Sequence, residues 1–77
     1  LDETPDHPDA LHLLGVVAHQ RGQFGRAMNL IKRAVALAPD AGTYYCNLAE
    51  ACRMAGDLGG AVEAARKAVA LVPHSPD

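Results

Sequence analysis

Four histidines and two cysteines are the side chains of this sequence best suited to hold a metal or attack a substrate, and their spacing argues against both. His12 and His19 lie seven residues apart, about 10.5 Å along a helix axis, whereas one metal ion favours ligands at i, i+3 or i, i+4. His7 and His74 fall in turns, where solvated or cap-adjacent roles are the ordinary ones. Cys46 and Cys52 are six apart and point roughly 240° apart around a helix, so they are not expected to form an intrachain disulfide. Cys52 reads as a small core residue and Cys46 as an exposed thiol. No glycine-rich phosphate loop and no serine-centred elbow is present. The expectation is a chain without catalytic residues, metal or cofactor. Asn47 has a different capability, because its amide can donate to and accept from an extended peptide backbone at once.

The elements that position these groups must come from 77 residues, one small domain at most. Apolar residues make up 49 % of the chain and charged ones 21 %, ordinary globular usage, while aromatic residues are only 4 %. Abundant alanine with few aromatics suits closely packed helices. A net charge of −2 gives no general reason to expect nucleic acid or an anionic membrane as partner. Apolar runs are too short to span a bilayer, and the acidic N-terminal stretch does not read as a secretory signal. Cytoplasm is the default compartment. The missing initiating Met suggests an excerpt from a longer chain.

A shift of 34 residues aligns the chain with itself. Pro5, Pro39 and Pro73 fall in register, as do Leu14 with Leu48, Gly22 with Gly56 and Ala27 with Ala61. Ala34 to Leu37 repeats as Ala68 to Leu71. One unit reads as a helical hairpin. Asp6 or His7 caps a first helix with Pro8 in its first turn; it runs to about Arg21 and faces its partner with Leu11, Leu14, Gly15 and Ala18. Gly22 stops it, and a second helix from about Phe24 to Ala38 turns Phe24, Ala27, Met28, Ile31, Ala34 and Val35 inward before Pro39. The second unit repeats the plan. Asp40 caps, Tyr45, Leu48, Ala49 and Cys52 lie inside, and Gly56 and Asp57 form the turn and next cap. Leu58, Ala61, Val62, Ala65, Ala68 and Val69 face inward from the last helix, which Pro73 ends.

A period of 34 carrying Leu14-Gly15, Gly22, Phe24, Ala27, Ala34 and Pro39 resembles the tetratricopeptide repeat. The resemblance covers residues 5 to 73, with one repeat at about 6–39, a second at about 40–73, and 74–77 as a tail or the start of a missing unit. Ala49 replaces the family glycine in the second unit, and Ala65 stands where a larger apolar residue is common. The fold implied is all-α, a tetratricopeptide-type α-solenoid of two antiparallel helical hairpins. The implied function is a non-catalytic protein-interaction module that binds a peptide or protein segment in a concave groove lined by the first helices.

On that reading the groove comprises Asp9, His12, Leu13, Val16, His19 and Gln20 from the first helix. Thr43, Cys46, Asn47, Glu50, Arg53 and Met54 are their counterparts on the third. Leu13, Val16 and Met54 would make an apolar strip flanked by both charge signs, suited to a peptide with a short apolar anchor. His12 and Cys46 occupy equivalent places and could approach each other, without the enclosure a nucleophile needs. Asn47 sits where one rung of the asparagine ladder of protein-modifying sugar transferases would be, but Leu13 breaks that ladder. The stretch from His7 to Gly15 also looks like bacterial arrays that precede sugar-transferring domains, so a targeting segment of such an enzyme is one alternative. Val16 and His12 replace the asparagine and lysine of the clamp found in chaperone-type members. Arg26, Lys32, Arg33, Arg66 and Lys67 fall on the second helices and read as a solvated convex face. With two repeats, fewer than this architecture usually needs, the last helix should leave apolar surface uncovered. A homo-oligomer through that helix is the second alternative.

Overall fold

The computed structural model describes residues 7–71. The chain folds into four helices, α1 (Pro8–Gln20), α2 (Phe24–Leu37), α3 (Gly42–Ala55) and α4 (Leu58–Leu71), with no strand among the described residues. α1 packs on α2, α2 on α3 and α3 on α4, while α1 and α3 meet only briefly. That order is two antiparallel hairpins stacked through α2 and α3. Pro5, Asp6, Pro73 and the 74–77 tail lie outside the described residues.

Local chemistry accounts for the ends. Pro8 occupies the first turn of α1, where the N–H it lacks would have had no helical partner. His7 stands at the N-cap without a side-chain bond, and its carbonyl accepts the Leu11 N–H at 3.0 Å. The two tight turns use the same device. Gly22 and Gly56 adopt φ of 79° and 90°, left-handed values that a side chain would strain. The next residue then donates back across each turn, Gln23 N–H to the Ala18 carbonyl and Asp57 N–H to the Cys52 carbonyl, both at 2.8 Å. Asp57 also caps α4 by accepting the Gly60 N–H at 3.0 Å. Asp40, in contrast, caps nothing; Ala41 precedes α3, because the chain leaving α2 needs the four residues 38–41 to turn. α1 ends at Gln20 and α2 at Leu37, each one residue short of the predicted end.

The core contains Leu11, Ala18, Ala27, Ile31 and Ala34 in the first hairpin and Tyr45, Leu48, Cys52 and Ala68 in the second, as the periodicity predicts. Leu30, Ala51 and Ala64 join it unpredicted. Met28, Val35, Ala49 and Ala61 are partly buried against it. The first hairpin closes tightly at Gly15: a Cβ there would stand 2.5 Å from Ile31 Cγ1.

Leu14 on α1 and part of the predicted inward face of α4 prove to be outward. Leu14 is 43 % exposed although its equivalent Leu48 is 6 % exposed, since α3 is packed between α2 and α4 and α1 has one full neighbour. On α4, Leu58, Val62, Ala65 and Val69 are exposed, whereas the equivalent Met28, Ile31 and Val35 of α2 are covered at its junction with α3. Periodicity identifies an apolar face but does not supply the helix that covers it. No helix among the described residues is long and apolar enough to cross a membrane.

Candidate functional site

The face shared by α1 and α3 is held together by polar side chains from both hairpins. The Tyr44 hydroxyl donates to the Asp9 carboxylate. The Tyr44 ring then lies against His12, with ring centroids 4.3 Å apart and planes 21° from parallel. Asn47, one turn further along α3, is hydrogen-bonded through Nδ2 to His12 Nε2 at 2.6 Å. Both hydrogen bonds join residues 35 apart, one more than the repeat period. Asp9 and His12 thus bond the residues that follow their own equivalents, Thr43 and Cys46, on α3.

Burial is the larger influence on His12 and pushes its pKa below the usual histidine value, while the nearby Asp9 carboxylate raises it in part. The hydrogen bond to Asp9 raises the Tyr44 pKa, since losing the phenolic proton breaks that bond beside a negative charge. A neutral His12 with an unprotonated Nε2 is the form that can accept an Asn47 N–H.

Next to this cluster is a hollow of about 50 Å³ lined by Val16, His19, Ile31, Asn47 and Glu50. Val16 and Ile31 give it an apolar floor, and the other three side chains a polar rim. His19 is held edge-on to Phe24 at 5.1 Å. Glu50 is paired with Arg53 at 2.6 Å, so opposite charges on the exposed edge of α3 face each other.

Of the predicted groove residues, the structure brings Asp9, His12, Val16, His19, Asn47 and Glu50 onto this one surface. Leu13, Gln20, Thr43, Cys46, Arg53 and Met54 are exposed. The expected strip of Leu13, Val16 and Met54 divides: Val16 lines the hollow, while Leu13 is 62 % exposed and Met54 41 %. His12 meets Tyr44 and Asn47, which flank its exposed equivalent Cys46 on α3. Tyr44 and Ile31 were not among the predicted groove residues. The signal for Tyr44 is a complementary pair, Asp9 with Tyr44, at the period plus one.

Stacked antiparallel hairpins with a 34-residue period, glycine-stopped first helices and a polar face between successive first helices define a helical-repeat protein. A family model described as tetratricopeptide repeat matches residues 1–42 and again 20–76, and the chain belongs to that family. Repeats of this family generally mediate protein–protein interaction and are typically non-catalytic scaffolds. The chain is 39 % identical over 66 residues to tetratricopeptide repeat protein 36 of Mus musculus, covering 86 % of this chain and 36 % of the relative. The human protein of the same name is 39 % identical over 62 residues, 80 % of this chain and 33 % of its own. Inactive TPR repeat-containing thioredoxin TTL3 of Arabidopsis thaliana is 32 % identical over 71 residues, 92 % of this chain and 10 % of its own. The chain thus spans about a third of the mammalian relatives and a tenth of the plant one.

Proposed function

We propose that the chain is a non-catalytic module of two repeats, at about 6–39 and 40–73, that binds an extended peptide segment of a protein partner across the face shared by α1 and α3. One observation carries this reading: an apolar hollow floored by Val16 and Ile31 lies directly beside Asn47, which can engage a peptide backbone. A short apolar side chain of the ligand fits the hollow while Asn47 fixes its register. Asp9, Glu50 and Arg53 put both charge signs around this face, which suits a mixed segment better than a uniformly acidic one. The net charge of −2 points away from nucleic acid.

The test is capture from native lysate by the wild-type chain and by an Asn47→Ala, Arg53→Glu double variant with unchanged helical circular dichroism. A partner held by the first and lost by the second supports binding at this face. Equal recovery by both excludes it.

The exposed Leu58, Val62 and Val69 favour a second reading, in which the apolar side of α4 mediates self-association. That surface lies on another helix, and the double variant leaves it untouched.

A further inference from the structure

Asn47 does not stand alone on its face; its nitrogen is committed to His12. A neutral imidazole with an unprotonated Nε2 accepts one Asn47 N–H, leaving the other N–H and the Oδ1 oxygen for a ligand. Those are the donor and acceptor that a peptide unit's carbonyl and N–H require. Protonation makes Nε2 a donor. The asparagine amide must then turn over to offer Oδ1 to the imidazolium, and only N–H groups remain facing outward. We infer that His12 sets the hydrogen-bonding groups Asn47 offers to a peptide backbone, so that protonation of His12 removes the acceptor and weakens peptide binding. The inference rests on the binding face proposed above and adds its control by pH.

The surroundings of His12 favour this role. Asp9, one turn earlier on α1, is engaged by the Tyr44 hydroxyl, so the carboxylate nearest His12 is partly satisfied. From α3, Tyr44 covers the ring face and Asn47 meets Nε2. Glu50, one turn beyond Asn47, is paired with Arg53, and His19, two turns along α1, packs edge-on to Phe24. α2 brings Ala27 and Ile31 against α1 at Gly15, neither of them titratable. The stacked Tyr44 ring restrains His12 from swinging away when it gains a proton, so the asparagine has to respond. Partial burial favours the neutral ring and moves its protonation to the acid side of the ordinary 6.5, with Asp9 opposing in part.

The experiment has one arm without ligand and one with it. In the first, the isotopically labelled chain is titrated by NMR from about pH 8 to about pH 4.5, following the His12 ring and the Asn47 side-chain amide. The amide resonances should move with the His12 midpoint, below 6.5; His12→Gln, which keeps an acceptor but cannot be protonated, should abolish the step, and His19→Gln should leave it. In the second arm, an immobilised mixture of end-capped random peptides of about ten residues is the probe, with peptides retained at about pH 7.5 challenged at about pH 5. Release from wild type by about tenfold or more, with the amount that His12→Gln retains at about pH 7.5, whatever its level, unchanged at about pH 5, is the expected result. An Asn47 amide indifferent to His12 overturns the inference whatever the peptides do. An amide that follows His12 while peptides stay bound equally at both pH values also overturns it but leaves the binding face standing. No peptide retained at either pH removes the binding face, and the inference with it.

Discussion

At the level of single residues, equivalent positions in the two hairpins carry unequal shares of stability. Asp57 accepts the Gly60 N–H at the start of α4, whereas its equivalent Gln23 at the start of α2 makes no such bond. Asp57→Ala is therefore expected to cost about 1 kcal/mol, lowering Tm by about 4–8 °C, and Gln23→Asp to raise it; thermal unfolding by circular dichroism reads both. The two thiols should separate as cleanly. Cys46 is exposed and Cys52 is 1 % exposed, so a thiol reagent should modify one group in the native chain and two in denaturant. Burial raises the Cys52 pKa above its usual value, with Asp57 adding to the rise and Lys32 opposing it. Its neutral form is thus the native one, and stability it lends below the ordinary thiol pKa is lost as alkali ionises it. His12 acts on the acid side with the opposite sense: its lowered pKa means stability is full above 6.5 and falls as protonation sets in below, and His12→Gln should flatten that acid limb of a Tm-against-pH profile.

Among the elements, α1 and α2 approach through one specific pair. A methyl group at Gly15 would meet the branched, fully buried Ile31 side chain at 2.5 Å and the Ala27 carbonyl oxygen at 3.3 Å, so a close-packed core residue has to shift. Gly15→Ala should destabilise by about 1–3 kcal/mol despite alanine's better helix propensity. That penalty should shrink in an Ile31→Ala background, a double-mutant cycle followed by urea unfolding with trimethylamine oxide added to keep both variants folded. Much of this level is legible in the sequence. The 34-residue period, Pro8, the glycines at 22 and 56 and the Asp57 cap each specify a boundary by a local backbone requirement. The facing of α4 is not legible, because Val62, Ala65 and Val69 repeat the pattern of α2 without the helix that covers it there. The proposed binding face is legible as far as His12 and Val16 on α1 and Asn47 on α3, whose positions follow from the periodicity within each helix. Which of them touch depends on which flanks of α1 and α3 meet, and a pattern within one helix does not encode that. Tyr44 escapes notice for this reason.

For the molecule as a whole, the balance lies between a narrow stacked core and the surfaces left at its two sides. Val62 and Val69 are 55 % and 69 % exposed on α4, with Ala65 and Arg66 completing a shallow apolar surface around them. Sedimentation of the 77-residue chain should therefore show mass rising with concentration, and Val62→Glu with Val69→Glu should return it to the monomer without loss of helical signal. A wild-type chain that stays monomeric at millimolar concentration would remove self-association as a role for α4. The pairing of residues across the two units also bears on how such a protein can be rebuilt by duplication and shuffling. Gly15 and Ile31 belong to one unit, and their equivalents Ala49 and Ala65 to the other, one larger residue traded for one smaller. A unit copied or moved entire carries its own steric match with it. Asp9 with Tyr44 and His12 with Asn47, however, each join two units. Reversing the order of the units would preserve the helical hairpins and erase these two contacts, which are inherited only by a particular succession of neighbours.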